Sequence, residues 1–228
     1  MGMTSFQRAR SEEQREVRRR SILDVTAAML DEMPVAEVSL NELSRRVGLA
    51  KSNVLRYFES REVILLELLD RAWKEWAADL PTALAGAIDA DASQQERTEQ
   101  FAAALAASLA GRTVFCDLLS AQTAVLEHKA SPQAAAHYKR AAIANMGDLA
   151  AIAVIHLPAL GERAFHLAAS ITMMIGAVWT HSRPSPAMLA AYEADPGLGM
   201  ARMDFAVSLQ DTVATLAAGS IARSTPSR

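Results

Sequence analysis

Lys51, Ser52, Asn53, Arg56 and Tyr57 lie close together and are of the types that hydrogen-bond phosphates and base edges. At helical spacing they leave Val54 and Phe58 to face the other way, so a short helix over about Lys51 to Tyr57 projects its polar residues outward. Such a helix reads DNA only if its apolar side is held. The residues just before it supply the brace. Leu40, Leu43 and Val47 give one apolar face to a second short helix, which Ser39 opens with Glu42 three residues later as a reciprocal capping box. Gly48 follows, where the chain must turn with positive φ. Ser44 is small where the two helices cross, and Leu43, Val47, Leu49, Val54 and Phe58 form the supporting core. Two short helices joined by a Gly-Leu-Ala turn make a helix-turn-helix, the first bracing the second so that it can enter the major groove. Ser39, at the start of the bracing helix, joins the DNA-binding candidates.

The stretch VGLAKSNVLRYFESREVIL, Val47 to Leu65, resembles the tetracycline-repressor (TetR) family. That family's pattern is a first helix, a helix-turn-helix, and an aromatic-rich end leading into a fourth helix. Gly48, Lys51, Tyr57, Phe58, Ser60 and Glu62 fall where the family places them, and Arg61 stands in for its customary Lys. Ala50 replaces the usual capping Ser, Ser52 the usual Gly, and Leu55 the Tyr that commonly reaches the DNA backbone. The resemblance implies that Lys51, Ser52, Asn53, Arg56, Tyr57 and Arg61 contact double-stranded DNA. It also implies a C-terminal helical domain for dimerisation and effector binding, and repression relieved by a small apolar or amphipathic molecule. A homodimer presents two recognition helices about 34 Å apart or somewhat more, which implies a pseudo-palindromic operator.

Stepping outward, a first helix is expected from about Glu12 to Met33, with Ile22, Val25, Thr26 and Met29 on one stripe. Ser60 caps a longer helix on which Val63, Leu66, Leu69, Trp73, Trp76 and Leu80 recur before Pro81. Beyond it, Ser93 and Glu96 form a second capping box ahead of a helix to about Ala110, and a further helical stretch spans about Arg112 to Lys129. Ser131 and Pro132 open a helix to about His156, with Tyr138, Ala142, Asn145, Leu149 and Ile152 on one stripe. Helices from about Glu162 to His181 and Met200 to Ala218 follow, separated by a Pro-rich connection. The expected fold is all-α: a helix-turn-helix domain over about 12–60, a helical-bundle domain over 61–221, and flexible termini at 1–11 and 222–228. Trp73, Trp76, Phe115, Tyr138, Asn145, Met173, Met174 and Trp179 are candidate lining for an effector pocket, each with ordinary core packing as its alternative. On the last helix Phe205, Ser208, Thr212 and Thr215 offer a second flat face, the expected dimer contact.

Composition excludes several classes. Of 228 residues 51% are hydrophobic but only 5% aromatic, which suits a helical core better than sheets. One cysteine, Cys116, rules out an internal disulfide framework and fits a reducing cytoplasm, the expected location. The apolar run between Arg163 and Arg183 is broken by His166, Ser170, Thr172, Thr180 and His181, so a buried helix is expected and no membrane partner. The five histidines, His128, His137, His156, His166 and His181, include no i, i+4 pair, so no metal is expected, and no cofactor is implied. A formal charge of −3 does not itself advertise nucleic acid, although arginines crowd the first twenty residues and again Arg45 to Arg61. Two other classes stay open: a DNA-binding regulator without a small-molecule effector, and a helical enzyme. The chain lacks a phosphate-cradling Gly-rich loop, a G-x-S-x-G elbow and an H-E-x-x-H helix, so it is not expected to be an enzyme.

Overall fold

Side-chain caps start most of the helices. A computed structural model describes residues 5–122 and 130–224, and every regular element among them is helical. They are α1 (Ser5–Glu32), α2 (Leu40–Val47), α3 (Lys51–Val54), α4 (Arg61–Ala85), α5 (Gln94–Ala110), α6 (Thr113–Ala121), α7 (Pro132–His156), α8 (Ala164–His181), α9 (Pro186–Ala194) and α10 (Phe205–Ala222). 3-10 segments fall at Val35–Glu37, at Pro158–Arg163, where Gly161 breaks the helical geometry, and at Pro196–Ala201. Ser39, Ser60, Ser93, Ser131, Ser185 and Asp204 each accept a backbone N–H three residues on, satisfying a donor that the first helical turn leaves unpaired. Only Ser93 completes a reciprocal box, with Glu96 Oε2 2.9 Å from the Ser93 nitrogen. At Ser39 the second half does not form, because the Glu42 carboxylate turns instead to Arg45 and Arg46.

The apolar faces bury against one another as one continuous core. α1 packs on α2 and α4, α4 on α5, α6 and α7, and α8 and α10 close the far side over α5, α6 and α7. Trp73, Trp76 and Phe115 meet with ring centroids 5.5 to 5.6 Å apart at the centre, and Trp76 Nε1 donates to Ser108 Oγ at 2.9 Å. Cys116 is fully buried there, and burial pushes its thiol pKa up to about 12. α10 is long and apolar enough to cross a membrane by length and composition alone; Leu209, Val213 and Ala217 are buried against other helices, but only 28% of the helix is buried.

Several boundaries differ from the sequence expectation. α1 begins at Ser5 rather than near Glu12, and α10 ends at Ala222 rather than near Ala218, with Ser224 Oγ donating to the Leu160 carbonyl at 2.8 Å. α4 runs through Pro81 to Ala85, because fully buried Leu80 and Leu84 hold the last turn despite the lost N–H. The recognition helix stops at Val54, and Leu55 to Tyr57 continue as tight turns with Tyr57 N–H bonded to the Val54 carbonyl at 2.9 Å. The Pro-rich connection contains α9, and α8 begins two residues late after a 3-10 turn. α10 begins at Phe205, capped by Asp204. His128, the expected helix end near Lys129, and residues 1–4 and 225–228 lie outside the described residues.

Two glycines test the packing. A Cβ on Gly147 of α7 meets nothing within 4 Å, whereas one on Gly176 of α8 sits 3.2 Å from the Leu119 carbonyl oxygen of α6. Gly147→Ala is expected to raise stability by about 0.5–1 kcal/mol through helix propensity. Gly176→Leu should lower it by about 1–3 kcal/mol by forcing α6 and α8 apart. Urea midpoints moving the same way in both variants would contradict this packing.

Candidate nucleic-acid interface and effector cavity

Gly48 takes φ 71°, ψ 30° at the end of α2. Its N–H bonds the Arg45 carbonyl at 3.2 Å while Leu49 N–H bonds that of Ser44 at 3.0 Å, a Schellman closure that aims the next helix across the first. Leu43, Val54 and Phe58 are buried to 2% exposure or less, and Ser44 donates to the Leu40 carbonyl at 2.7 Å, so the brace is as the sequence suggests. Ala50 provides no side-chain cap for α3. Lys51, Ser52, Asn53 and Arg56 are exposed around this support, with Tyr57 half-buried and Leu55 40% exposed beside them. Ser39 is exposed too, its oxygen engaged by the Glu42 N–H at 3.1 Å.

Arg61 departs from its expected outward placement. Its guanidinium donates to the Val35 carbonyl and lies 3.5 Å from Glu62, with 17% of the side chain exposed, so it ties the start of α4 to the turn after α1. Arg45 and Arg46 are likewise occupied, by Glu42 and, for Arg46, by Glu32 at 2.7 Å. Sequence reading passed over Arg19. From α1 it donates to the Tyr57 carbonyl and to Glu67 of α4, and its guanidinium carbon stands 4.3 Å from the centre of the Phe58 ring. The available signal was position: on the helical repeat Arg19 shares a face with Ile22 and Thr26, where the helix meets its neighbours.

In the C-terminal half a cavity of about 450 Å³ opens among α4, α6, α7 and α8. Of the eight candidate lining residues, Trp73, Tyr138, Asn145 and Met173 face it. Trp76 and Phe115 lie in the core behind Trp73, Met174 packs against the core, and Trp179 lies on another side between Phe205 and Arg183. Asp70 was missed: it stands one turn before Trp73 and accepts Asn145 Nδ2 at 2.9 Å and Lys74 Nζ at 2.6 Å. A carboxylate on the buried stripe of α4 was the readable sign. Trp73 is 4% exposed, and its indole N–H has no acceptor among the described residues.

The two regions touch through polar bonds. Asp117 Oδ2 of α6 accepts the Val35 N–H at 2.8 Å, and Ser131 Oγ at the start of α7 donates to Glu59 Oε2 at 2.7 Å. The dimer candidates divide: Phe205 packs on the Trp179 ring at 5.1 Å, Ser208 and Thr212 are half-buried, and Thr215 is exposed. The outward stripe of α10 runs instead through Val207, Asp211, Thr215 and Ala218, and on α8 Phe165 and Met173 are exposed.

A family model described as the tetracyclin repressor-like C-terminal domain matches residues 70–224, and one described as bacterial regulatory proteins of the tetR family matches residues 22–68. The chain belongs to the TetR family. The boundary between the two matches falls inside α4, so this TetR-family chain has no linker between its halves. The HTH-type transcriptional regulator EthR of Mycobacterium tuberculosis is 31% identical over 78 residues, 34% of this chain and 36% of that relative, so the match spans about a third of the curated protein. The fatty acid degradation regulator FadR of Bacillus halodurans shares the fold with a TM-score of 0.53 at 12% identity, over 88% of this chain and 97% of that one. FadR of Bacillus subtilis, solved with stearoyl-CoA, gives 0.51 at 14% over 88% and 98%.

Arg19→Ala should lower stability by about 1–3 kcal/mol and weaken DNA binding with it, because the turn after α3 loses a charged hydrogen bond. Arg61→Ala should lower the melting temperature but leave the salt dependence of DNA binding at its wild-type slope. A slope shallower by about one unit would return Arg61 to the phosphate contacts.

Glu42 is held at a pKa of about 2 by hydrogen bonds from Arg45 and Arg46. Because the folded value lies below the ordinary 4.5, the stabilisation is present above that value and is lost as pH falls toward about 2. The Glu42 carboxyl carbon, followed by NMR, should titrate near pH 2 in the native chain and return toward 4.5 when both arginines become Ala. An unshifted titration in the native chain would mean that these pairs are absent in solution.

Proposed function

We propose that this chain is a homodimeric, sequence-specific DNA-binding repressor, released from its operator by a small apolar or amphipathic ligand. The observation that carries the DNA-binding reading is the set of exposed residues Lys51, Ser52, Asn53 and Arg56, held outward by buried Val54 and Phe58. Side chains so placed at the start of a braced helix reach base edges and phosphates when that helix enters the major groove. Ser39 and Tyr57 flank them as backbone contacts, and Arg61 serves by fixing the angle of α4. Dimerisation uses the outward stripes of α8 and α10, with Thr215 rather than Thr212 at its centre.

Ligand control is supported by the cavity. Its volume lies within the range of small-molecule sites, and apolar Leu69, Trp73 and Met146 stand beside polar Asn145, Asp70 and Thr172. B. subtilis FadR, the neighbour solved with stearoyl-CoA, offers a precedent within the fold for an amphipathic ligand. A regulator without an effector calls for a fully packed C-terminal core, and the cavity speaks against that alternative. α6 is the coupling element: Leu119 and Ser120 line the cavity while Asp117 holds Val35, whose carbonyl holds Arg61. A ligand that displaces α6 loosens this chain of bonds and changes the spacing of the two recognition helices.

Duplexes selected by the purified chain from a random library should carry two-fold symmetric half-sites, and asymmetric sites would overturn the dimeric reading. For any compound that raises the melting temperature and weakens operator binding, saturating operator must weaken the compound's affinity by the same factor. Trp73 makes tryptophan fluorescence a direct readout of that titration. Equal affinities with and without operator would eliminate ligand-driven release.

A further inference from the structure

The first helix extends well beyond the core it serves. From Glu12 on, its buried residues begin at Ile22, and every residue from Glu12 to Arg18 is exposed. A helical stretch of that length gains little from its own hydrogen bonds in water, and no apolar face is buried to hold it. What it has is charge, and the charge is sorted. Glu16 pairs with Arg20 at 3.5 Å and Arg19 at 3.9 Å. The side chains of Arg15 and Arg18 make no ion pair or hydrogen bond among the described residues, nor does that of Arg56 after α3. These three line one open groove of about 920 Å³ between α1 and the turn after α3, together with Gln14, Ser21 and Tyr57. One carboxylate, Glu13, shares it.

We propose that this groove is a second DNA contact, a cleft for the sugar-phosphate backbone in which Arg15 and Arg18 of α1 and Arg56 hold phosphates beside the major groove entered by α3. The proposal rests on the DNA-binding reading and adds a surface to it. Guanidiniums left unpaired in a groove suit a polyanion, since each can present two parallel N–H groups to a phosphate. Exposed Val17 supplies the apolar contact that a deoxyribose takes. Arg56 makes the cleft continuous with the recognition helix, so a strand leaving the major groove at Arg56 passes directly under α1. The contacts are to backbone, so they add affinity and register and leave base preference to Asn53 and its neighbours.

The test compares the full chain with Arg15→Ala/Arg18→Ala on the duplex selected by the wild type, measuring log affinity against log salt. The slope should become shallower by about two units while the selected sequence stays the same. Arg15→Lys/Arg18→Lys should restore most of the slope, and Glu13→Gln should tighten binding. Arg140→Ala, an exposed charge on α7, should leave the slope unchanged, and the melting temperature of the double Ala variant should match wild type because neither arginine side chain has a partner among the described residues. A wild-type slope in the double Ala variant, or an equal loss from Arg140→Ala, overturns the cleft alone. No affinity of the wild type for any duplex overturns the DNA-binding reading and the cleft together.

Discussion

The guanidinium of Arg19 fixes the recognition segment in place. α3 is a single turn, too short to hold its own direction, and the tight turns that follow it end at the Tyr57 carbonyl, which Arg19 takes up. Arg19 donates to that carbonyl, pairs with Glu67, and lies over the Phe58 ring that anchors the same turn. One planar group thus meets α1, the end of α3 and α4 at once. A lysine, with a point charge and no flat face, does not meet a carbonyl, a carboxylate and a ring in one geometry. The side chain is 24% exposed, so its bonds are weakened little by solvent compared with a surface pair. Loss of this joint frees α3 from the frame that gives its exposed residues a direction.

That frame continues into the other half of the chain without a break. α4 carries Arg61 and Glu67 at its helix-turn-helix end and Leu69, Asp70 and Trp73 at the cavity, all within one rigid helix. Val35 joins the halves a second time: its N–H is taken by Asp117 of α6 and its carbonyl by Arg61 of α4. Both backbone groups of one residue are therefore committed to different elements. A shift of α6 relative to α4 cannot leave both bonds intact. Packed cores switch between discrete arrangements rather than deforming smoothly, and hydrogen bonds hold only over a narrow range of geometry, so a joint of this kind suits a two-state connection.

Most of the fold was legible because helix starts are local chemistry. Ser60, Ser93 and Ser131 cap where they were read to cap, and the stripes of α4 and α7 bury Leu66, Leu69, Trp73, Trp76, Leu80, Tyr138, Asn145 and Leu149 and half-bury Val63, Ala142 and Ile152. α9 was equally legible: Ser185-Pro186 repeats the Ser131-Pro132 signal, but neighbouring prolines made the segment read as a connection. What failed was what depends on distant partners. Pro81 ends a helix by its own chemistry, and only the burial of Leu80 and Leu84 carries the helix past it. Ser39 and Glu42 have the spacing of a box, but Arg45 and Arg46 compete for the carboxylate and win. Periodicity placed Trp76 on the same stripe of α4 as Trp73, and residue type made Phe115 of α6 a lining candidate, but neither signal tells the residue that meets a cavity from the two packed behind it.

The same limit governs charge. Counted along the chain, the arginines of the first helix and of the helix-turn-helix look alike, and a formal charge of −3 appears to cancel them. Folding sorts them into two kinds. Arg45, Arg46, Arg19 and Arg61 are spent on Glu42, Glu32, Glu67 and backbone carbonyls, where they hold helices together. Lys51, Arg56, Arg15 and Arg18 make no ion pair among the described residues, and the last three line one groove while Lys51 is exposed on α3. Interactions between exposed charges are screened over about 8–10 Å, so a phosphate at that face senses those four groups and hardly the acidic residues of the distant half. An acidic protein can therefore present a basic face, provided its carboxylates are used to neutralise the arginines that build the frame and leave free the ones that meet the ligand.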